Sequence, residues 1–260
     1  MKSGISKYCC LTGIFLIAFT GMLMARDEAV FSASVSVDYA SKFIWRGMNL
    51  NDDSVFQFNI EGGAKGFTGG IWLNMPLTDT YGTRSSGKID EVDLSLDFSR
   101  RISGSKAGYS LGVIQYTFAG YAPATTEIYG GLNFDVPLSP SVTWYRDVDE
   151  IDGSYIQFGV GHTFEKIGRW SDDEYVSLDL KAGVGLGGSG YNGGYFGAEK
   201  TKLNDFTLNV AVPFRLKHGI SIAPNFNVSA MLSKDIRNSY TYGTGKSTNV
   251  WVGVNFTKSF

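Results

Sequence analysis

The stretch VWVGVNFTKSF, Val250–Phe260, decides how the rest of the chain is read. Taken in steps of two, Val250, Val252, Val254, Phe256 and Phe260 fall on one face of an extended strand, with Lys258 the one charged residue among them. Trp251, Gly253, Asn255, Thr257 and Ser259 fall on the other. Successive side chains of a strand point to opposite faces, so this segment predicts a long strand lying between an apolar and a polar environment.

The same alternation recurs along the chain. FQFNIEG sets Phe56, Phe58 and Ile60 against Gln57, Asn59 and Glu61, and EVDLSLDF sets Val92, Leu94, Leu96 and Phe98 against Glu91, Asp93, Ser95 and Asp97. YVSLDLKAGVGL and FTLNVAVPF repeat the pattern. The period predicts twelve strands, at 32–46, 53–63, 66–77, 88–101, 107–119, 125–135, 139–148, 153–165, 174–187, 204–215, 219–232 and 247–260, although ten or fourteen also fit. Leu111 and Val113 share a phase that Tyr116 and Phe118 leave, which suggests a bulge near Ile114. No helical period extends beyond two turns.

Alternation alone does not separate a soluble sandwich from a membrane barrel, and four features favour the barrel. Links after strands two, six and ten are brief (GAK, VPLS, LKHG), whereas those after three, nine and eleven are long. Outer-membrane barrels have this asymmetry, short turns on the periplasmic side and longer loops outside. GYAPAT and KIGRWSDD break the rule. Aromatics gather at strand ends, Phe134, Phe164, Phe214 and Phe260 at one level and Trp45, Trp72, Phe118 and Trp144 at the other, as two interfacial belts would. The strands approach the ~9–11 residues of a tilted bilayer crossing. An even count lets the last strand close on the first, leaving no unpaired edge in hydrocarbon. The fold expected is an all-β, transmembrane, antiparallel up-and-down β-barrel.

Composition agrees with export. MKSGISKYCCLTGIFLIAFTGMLMA has Lys2 and Lys7, an apolar run from Leu11 and small residues near Ala25, so residues 1–25 are expected to be a cleaved signal peptide and 26–260 the barrel domain. Cleavage after Ala29 or Ala33 fits as well. Both cysteines, Cys9 and Cys10, lie in the leader, which excludes disulfide and thiolate chemistry from the mature chain. Removing the two lysines from 23 basic residues leaves 21 against 25 acidic, and with no basic tract nucleic-acid binding is not expected.

One region resembles a known family. SKFIWRGMNLND (Ser41–Asp52) followed by VFQFNIEGGAKGFTGGIWLNM (Val55–Met75) is similar to the N-terminal signature of the TorF-type porin family, through Arg46, Gly47, Gln57, Gly66, Phe67, Gly70 and Trp72. TEIYGGLNF and the terminal TKSF extend the likeness, while Lys42 and Phe43 stand where an Asp-Tyr pair is commoner. The resemblance covers the first third well and the rest loosely. It implies a Gram-negative outer-membrane barrel with a passive transport role and no defined substrate. A strand ending in Phe260 also resembles the signal read by the barrel-assembly machinery, and outer-membrane lipid would be the other partner.

Candidate chemistry is sparse. GVGLGG matches G-x-G-x-x-G through Gly183, Gly185 and Gly188, but a dinucleotide site needs a helix after the strand, and a glycine- and tyrosine-rich loop is expected instead. His162 and His218 are the two histidines; neither joins a nucleophile–base pair or a metal-ligand cluster, so no enzyme, cofactor or metal is expected. Glu61, Glu91, Asp93, Asp97, Glu127 and Asp179 fall on the polar face, with Lys181 and then Arg215 and Arg146 set against them as bases. They are the pore-lining candidates. Either they pair across the lumen and plug it, or they form a water-filled, cation-leaning passage for small hydrophilic solutes. The alternative function is a closed barrel acting at the cell surface through the loops at 79–87, 187–203 and 234–247.

Overall fold

The computed structural model describes residues 31–79, 85–240 and 244–260. The expected signal peptide and part of two loops named above lie outside the described residues. Fifteen strands are present: β1 (Ser32–Ala40), β2 (Phe43–Trp45), β3 (Met48–Asn51), β4 (Val55–Ala64), β5 (Phe67–Pro76), β6 (Glu91–Arg101), β7 (Ala107–Phe118), β8 (Thr125–Phe134), β9 (Ser141–Asp147), β10 (Ser154–Arg169), β11 (Tyr175–Gly187), β12 (Lys202–Ala211), β13 (Phe214–Leu216), β14 (Ile220–Met231) and β15 (Thr248–Ser259). Among the described residues two short helices join them, α1 (Ser189–Phe196) and α2 (Lys234–Ser239).

Strand β1 pairs with β4, each later barrel strand pairs antiparallel with the next, and β15 returns to β1 from Ser34↔Ser259 to Ala40↔Gly253. Strands β12 and β13 are one barrel strand interrupted at Pro213, which has no N–H to give to a ladder. The result is a closed transmembrane barrel of twelve strands; β2 and β3 form a separate hairpin. Its outer surface is apolar: Leu111 is 57% exposed and Val252 51%, with Ile60, Phe158 and Phe256 close to them. A water-soluble fold would hide such residues, whereas lipid covers them here at no polar cost.

One rim carries Phe260 and the compact turns. The Lys65–Gly66 turn has φ of 55° and 90°, as a two-residue hairpin requires, and a Cβ on Gly66 would come within 2.8 Å of the Ser99 carbonyl oxygen. Strand β10 runs on to Arg169 past a register shift after Phe164, so the first half of KIGRWSDD is strand and the link is shortened to residues 170–174. The opposite rim carries the longer connections, among them the segments with α1 and α2.

Four expectations need correction. Strand β1 ends at Ala40, not at residue 46. Strand β7 has no bulge: its pairing with β6 and β8 is unbroken, Leu111 and Val113 facing out while Ile114, Tyr116 and Phe118 face in beside Ser95, Asp93 and Glu91. Trp72, paired with Asn59 and Asp93, also faces in, so of the four aromatics assigned to that interfacial belt only Trp144 lies on the lipid side. Finally, a helix does follow GVGLGG. Burial of Tyr191, Asn192 and Phe196 holds it despite its glycines, since packing rather than propensity supports a helix this short.

Candidate functional site

Beyond Ala40 the chain leaves the barrel wall and turns inward. Residues 43–51 form the β2–β3 hairpin, whose two-residue turn is Arg46–Gly47, with φ of 43° and 83°. Both positions demand a left-handed backbone, which glycine gives freely and arginine only under constraint. The tip crosses to the far wall, where a Cβ on Gly47 would lie 2.7 Å from Cβ of Asp205 on β12. Trp72 supports the hairpin's base through Phe43, their ring centroids 5.6 Å apart.

The constraint on Arg46 is visible. Its Nη1 and Nη2 donate to Oε1 and Oε2 of Glu127 on β8 at 2.7 and 2.8 Å, and the Tyr116 hydroxyl donates to Oε2 of the same carboxylate at 2.9 Å. The guanidinium carbon lies 4.3 Å from the ring centre of Tyr145 and 4.5 Å from those of Trp45 and Tyr155. Tyr191, on α1, completes the enclosure at 5.8 Å. Side-chain exposure is 8% for Arg46 and 1% for Glu127, so this is a buried pair. A planar guanidinium suits both demands, bidentate to a carboxylate along its edge and stacked on aromatic faces.

The surrounding elements lock the hairpin in place. The Asn49 amide donates to the Tyr240 hydroxyl at 3.0 Å, and its side chain donates to Asn249 on β15 at 2.7 Å. Asp52 accepts from Lys42 at 2.5 Å and from Asn49 at 2.9 Å, and pairs with Lys246. Helix α1 is pinned by Asn192, which donates to the Gly187 and Lys200 carbonyls and accepts from Asn204. Met48, Tyr155, Tyr191, Phe196, Met231 and Ile236 then form a hydrophobic core inside the mouth of the barrel.

Below this core the barrel is polar and hollow. A compartment of about 770 Å³ lies beneath Ile44 and Arg46, with Thr143, Gln157, Lys181 and Asn209 on its walls. A second, of about 1060 Å³, extends to the Phe260 rim past Asp38, Asp179, Arg215 and Asn255 and shares Lys181 and Asn209 with the first.

The predicted residues do not act as one set. Glu61, Asp93, Asp97, Asp179 and Lys181 share the inward register of β4, β6 and β11. Glu127 is committed to Arg46, Asp97 accepts from Tyr129 at 2.7 Å, and Glu91 is buried at the mouth beside Tyr121. Arg215 lies low in the lumen, its guanidinium 6.0 Å from the Tyr175 ring centre. Arg146 instead shares the outward register of Trp144 and pairs with Asp152. Of the motif residues, Gln57 donates to Asn74 at 3.3 Å, Gly70 leaves room for Ser95, and Phe67 packs outside on Phe98 at 4.7 Å. Gly185 lies beneath Tyr155 and Asp205, which accounts for one glycine of GVGLGG by close packing.

Tyr145, Tyr155, Tyr191 and Asp205 were not singled out from the sequence. The available signal was Arg46–Gly47 between FIW and MNL, a two-residue hairpin between apolar runs.

No protein-family model matches the chain, and no curated protein matches it by sequence. Solved structures do match it. The KdgM porin aligns over 87% of this chain and 99% of its own at 10% identity, with a TM-score of 0.52. The NanC porin aligns over 86% of this chain and 97% of its own at 9% identity, with a TM-score of 0.50. At such identity the likeness is one of fold.

Proposed function

We propose that the protein is a porin-type channel of the Gram-negative outer membrane, exported by its leader and related to the TorF-type porins. It passes small hydrophilic solutes or ions down their gradients and performs no turnover chemistry. The observation that carries this reading is the polar lumen, whose two adjoining compartments lead from the Phe260 rim to the Arg46 hairpin. Short turns support a periplasmic position for the Phe260 rim, and the porin structures it resembles in fold support the class. The hairpin level is the selectivity filter. Below it, Glu61, Asp97 and Asp179 outnumber Lys181 and Arg215 and favour cations.

Planar-bilayer conductance under a salt gradient tests this. Small, cation-preferring currents are expected, and liposomes should swell with the smallest sugars only. The hydrophobic core in the mouth favours a second reading, a closed barrel acting at the surface. Well-folded protein that conducts nothing and swells with no solute would establish it instead.

A further inference from the structure

The lumen wall at β11 carries three charges that do not pair. Asp179 and Lys181 stand two residues apart on its inward face, about 7 Å along the strand. Arg215 on β13 lies opposite Tyr175, about 13 Å along the strand from Asp179 and nearer the Phe260 rim. From the Arg46 side toward that rim the signs therefore run plus, minus, plus. Among the described residues neither Asp179 nor Lys181 has an ion-pair or hydrogen-bond partner, and the guanidinium of Arg215 has only the Tyr175 ring, 6.0 Å from its centre. Oδ1 of Asp179 and Nε of Arg215 are buried as well as unbonded. Other charges at this end do pair, Lys217 with Glu174 at 3.4 Å and Arg169 with Asp172. All three open charges line the compartment of about 1060 Å³, with Lys181 at its border with the first.

We infer that this compartment binds small zwitterions, α-amino acids above all. A lone cation on Asp179 would sit between two fixed positive charges, and a lone anion on either base would face Asp179. A zwitterion avoids both conflicts: its ammonium meets Asp179 while its carboxylate meets Lys181, or the planar fork of Arg215. Spacing keeps the three side chains from neutralising one another and leaves each open to a solute. An uncharged solute of the same size would gain no ionic contact here. Passage of the zwitterion through the barrel rests on the channel reading above; its binding does not.

Full-length protein folded in detergent, titrated with L-alanine by calorimetry and ligand-detected NMR, tests the inference. Alanine should bind saturably. L-alaninamide, which keeps only the positive charge, and N-acetyl-L-alanine, which keeps only the negative one, should each bind at least about tenfold more weakly. Asp179→Asn should weaken alanine binding by about tenfold and leave N-acetyl-L-alanine no weaker. Absence of saturation with wild-type protein would overturn the inference, as would equal binding of either singly charged analogue. Undiminished alanine binding by an Asp179→Asn variant that retains heat-modifiable gel migration would do so too. The comparison of ligands on wild-type protein decides the matter even if the variant fails to fold. Bilayer currents separate the two readings: protein that conducts salt but binds no alanine overturns this inference alone, and protein that binds alanine but carries no current upholds it and overturns the channel.

Discussion

The two ends of this barrel share a wall but follow different rules. At the Phe260 rim, strands join through tight turns, the interior is lined by Asn, Thr, Ser and a few charges, and volume is left for solvent. At the opposite rim the interior holds a hairpin, two helices and a core of Met, Ile, Phe and Tyr such as a small soluble domain would have. The wall repeats an alternation that any residue of suitable polarity can satisfy. The mouth depends on particular side chains, above all Arg46, and tolerates few replacements. Local periodicity thus encloses the lumen, and long-range packing determines how much of it remains open.

The largest effect that would break this contrast is expected from Arg46→Ala. It leaves the Glu127 carboxylate buried without its ion-pair partner, and such a loss costs about 3–5 kcal/mol. Hydrogen exchange across 43–51 should rise steeply while the barrel strands stay protected, and single-channel conductance should increase. Gly47→Ala comes next. A side chain there meets Asp205 and strains a left-handed residue, so about 1–3 kcal/mol of hairpin stability should be lost, read by the same exchange.

In the open region the expected effect is on ions rather than stability. Glu61→Gln with Asp97→Asn should lower cation preference, seen as a smaller reversal potential under a salt gradient, with thermal unfolding within about 1 kcal/mol of wild type. An unchanged reversal potential would remove these carboxylates from the pathway.

The smallest effect concerns Asp52. Burial alone would raise its pKa, but hydrogen bonds from Lys246, Lys42 and Asn49 outweigh this and hold it well below the usual carboxylate range. Because the folded value lies beneath the ~4 of an unfolded aspartate, its contribution is complete above that pH and fades only in stronger acid. Hairpin exchange protection, corrected for intrinsic rates, should be flat from neutral pH to about 4 and fall below it; a loss beginning near neutrality would contradict the pairing.

How much of this was legible in the sequence follows from the same contrast. Strands such as β4, β6 and β15 declare themselves because each residue's face is fixed by its immediate neighbours. Even the misplaced aromatics could have been read by phase: Trp72 shares the register of Gly70 and Asn74, and Phe118 that of Tyr116. Their position near the strand end matches a lipid belt, but phase turns them inward. The hairpin was harder. SKFIWR continues an extended apolar pattern, and the reasons it leaves the wall, Glu127 and the tyrosines, come 70 to 145 residues later. Helix α1 has almost no local signal, its three glycines arguing against it until Tyr191 and Phe196 find their partners. Residues whose roles depend on distant contacts cannot be read from period.

The pairing of β1 with β15 has a consequence for assembly order. Asp38 and Asn255, hydrogen-bonded at 2.9 Å, are 217 positions apart in sequence, so this seam closes the longest loop in the molecule. The hairpin extends from the same β1 strand. Until the seam zips, the ribbon that bears Arg46 has one free margin and can approach Glu127 from the side; afterwards it must enter along the axis. Relocating the chain break to the Lys65–Gly66 turn by circular permutation would join β1 to β15 early and leave β4 and β5 to meet last. Such a permutant should reach the same endpoint by a slower or differently staged route, with acquisition of the hairpin's exchange protection marking the difference.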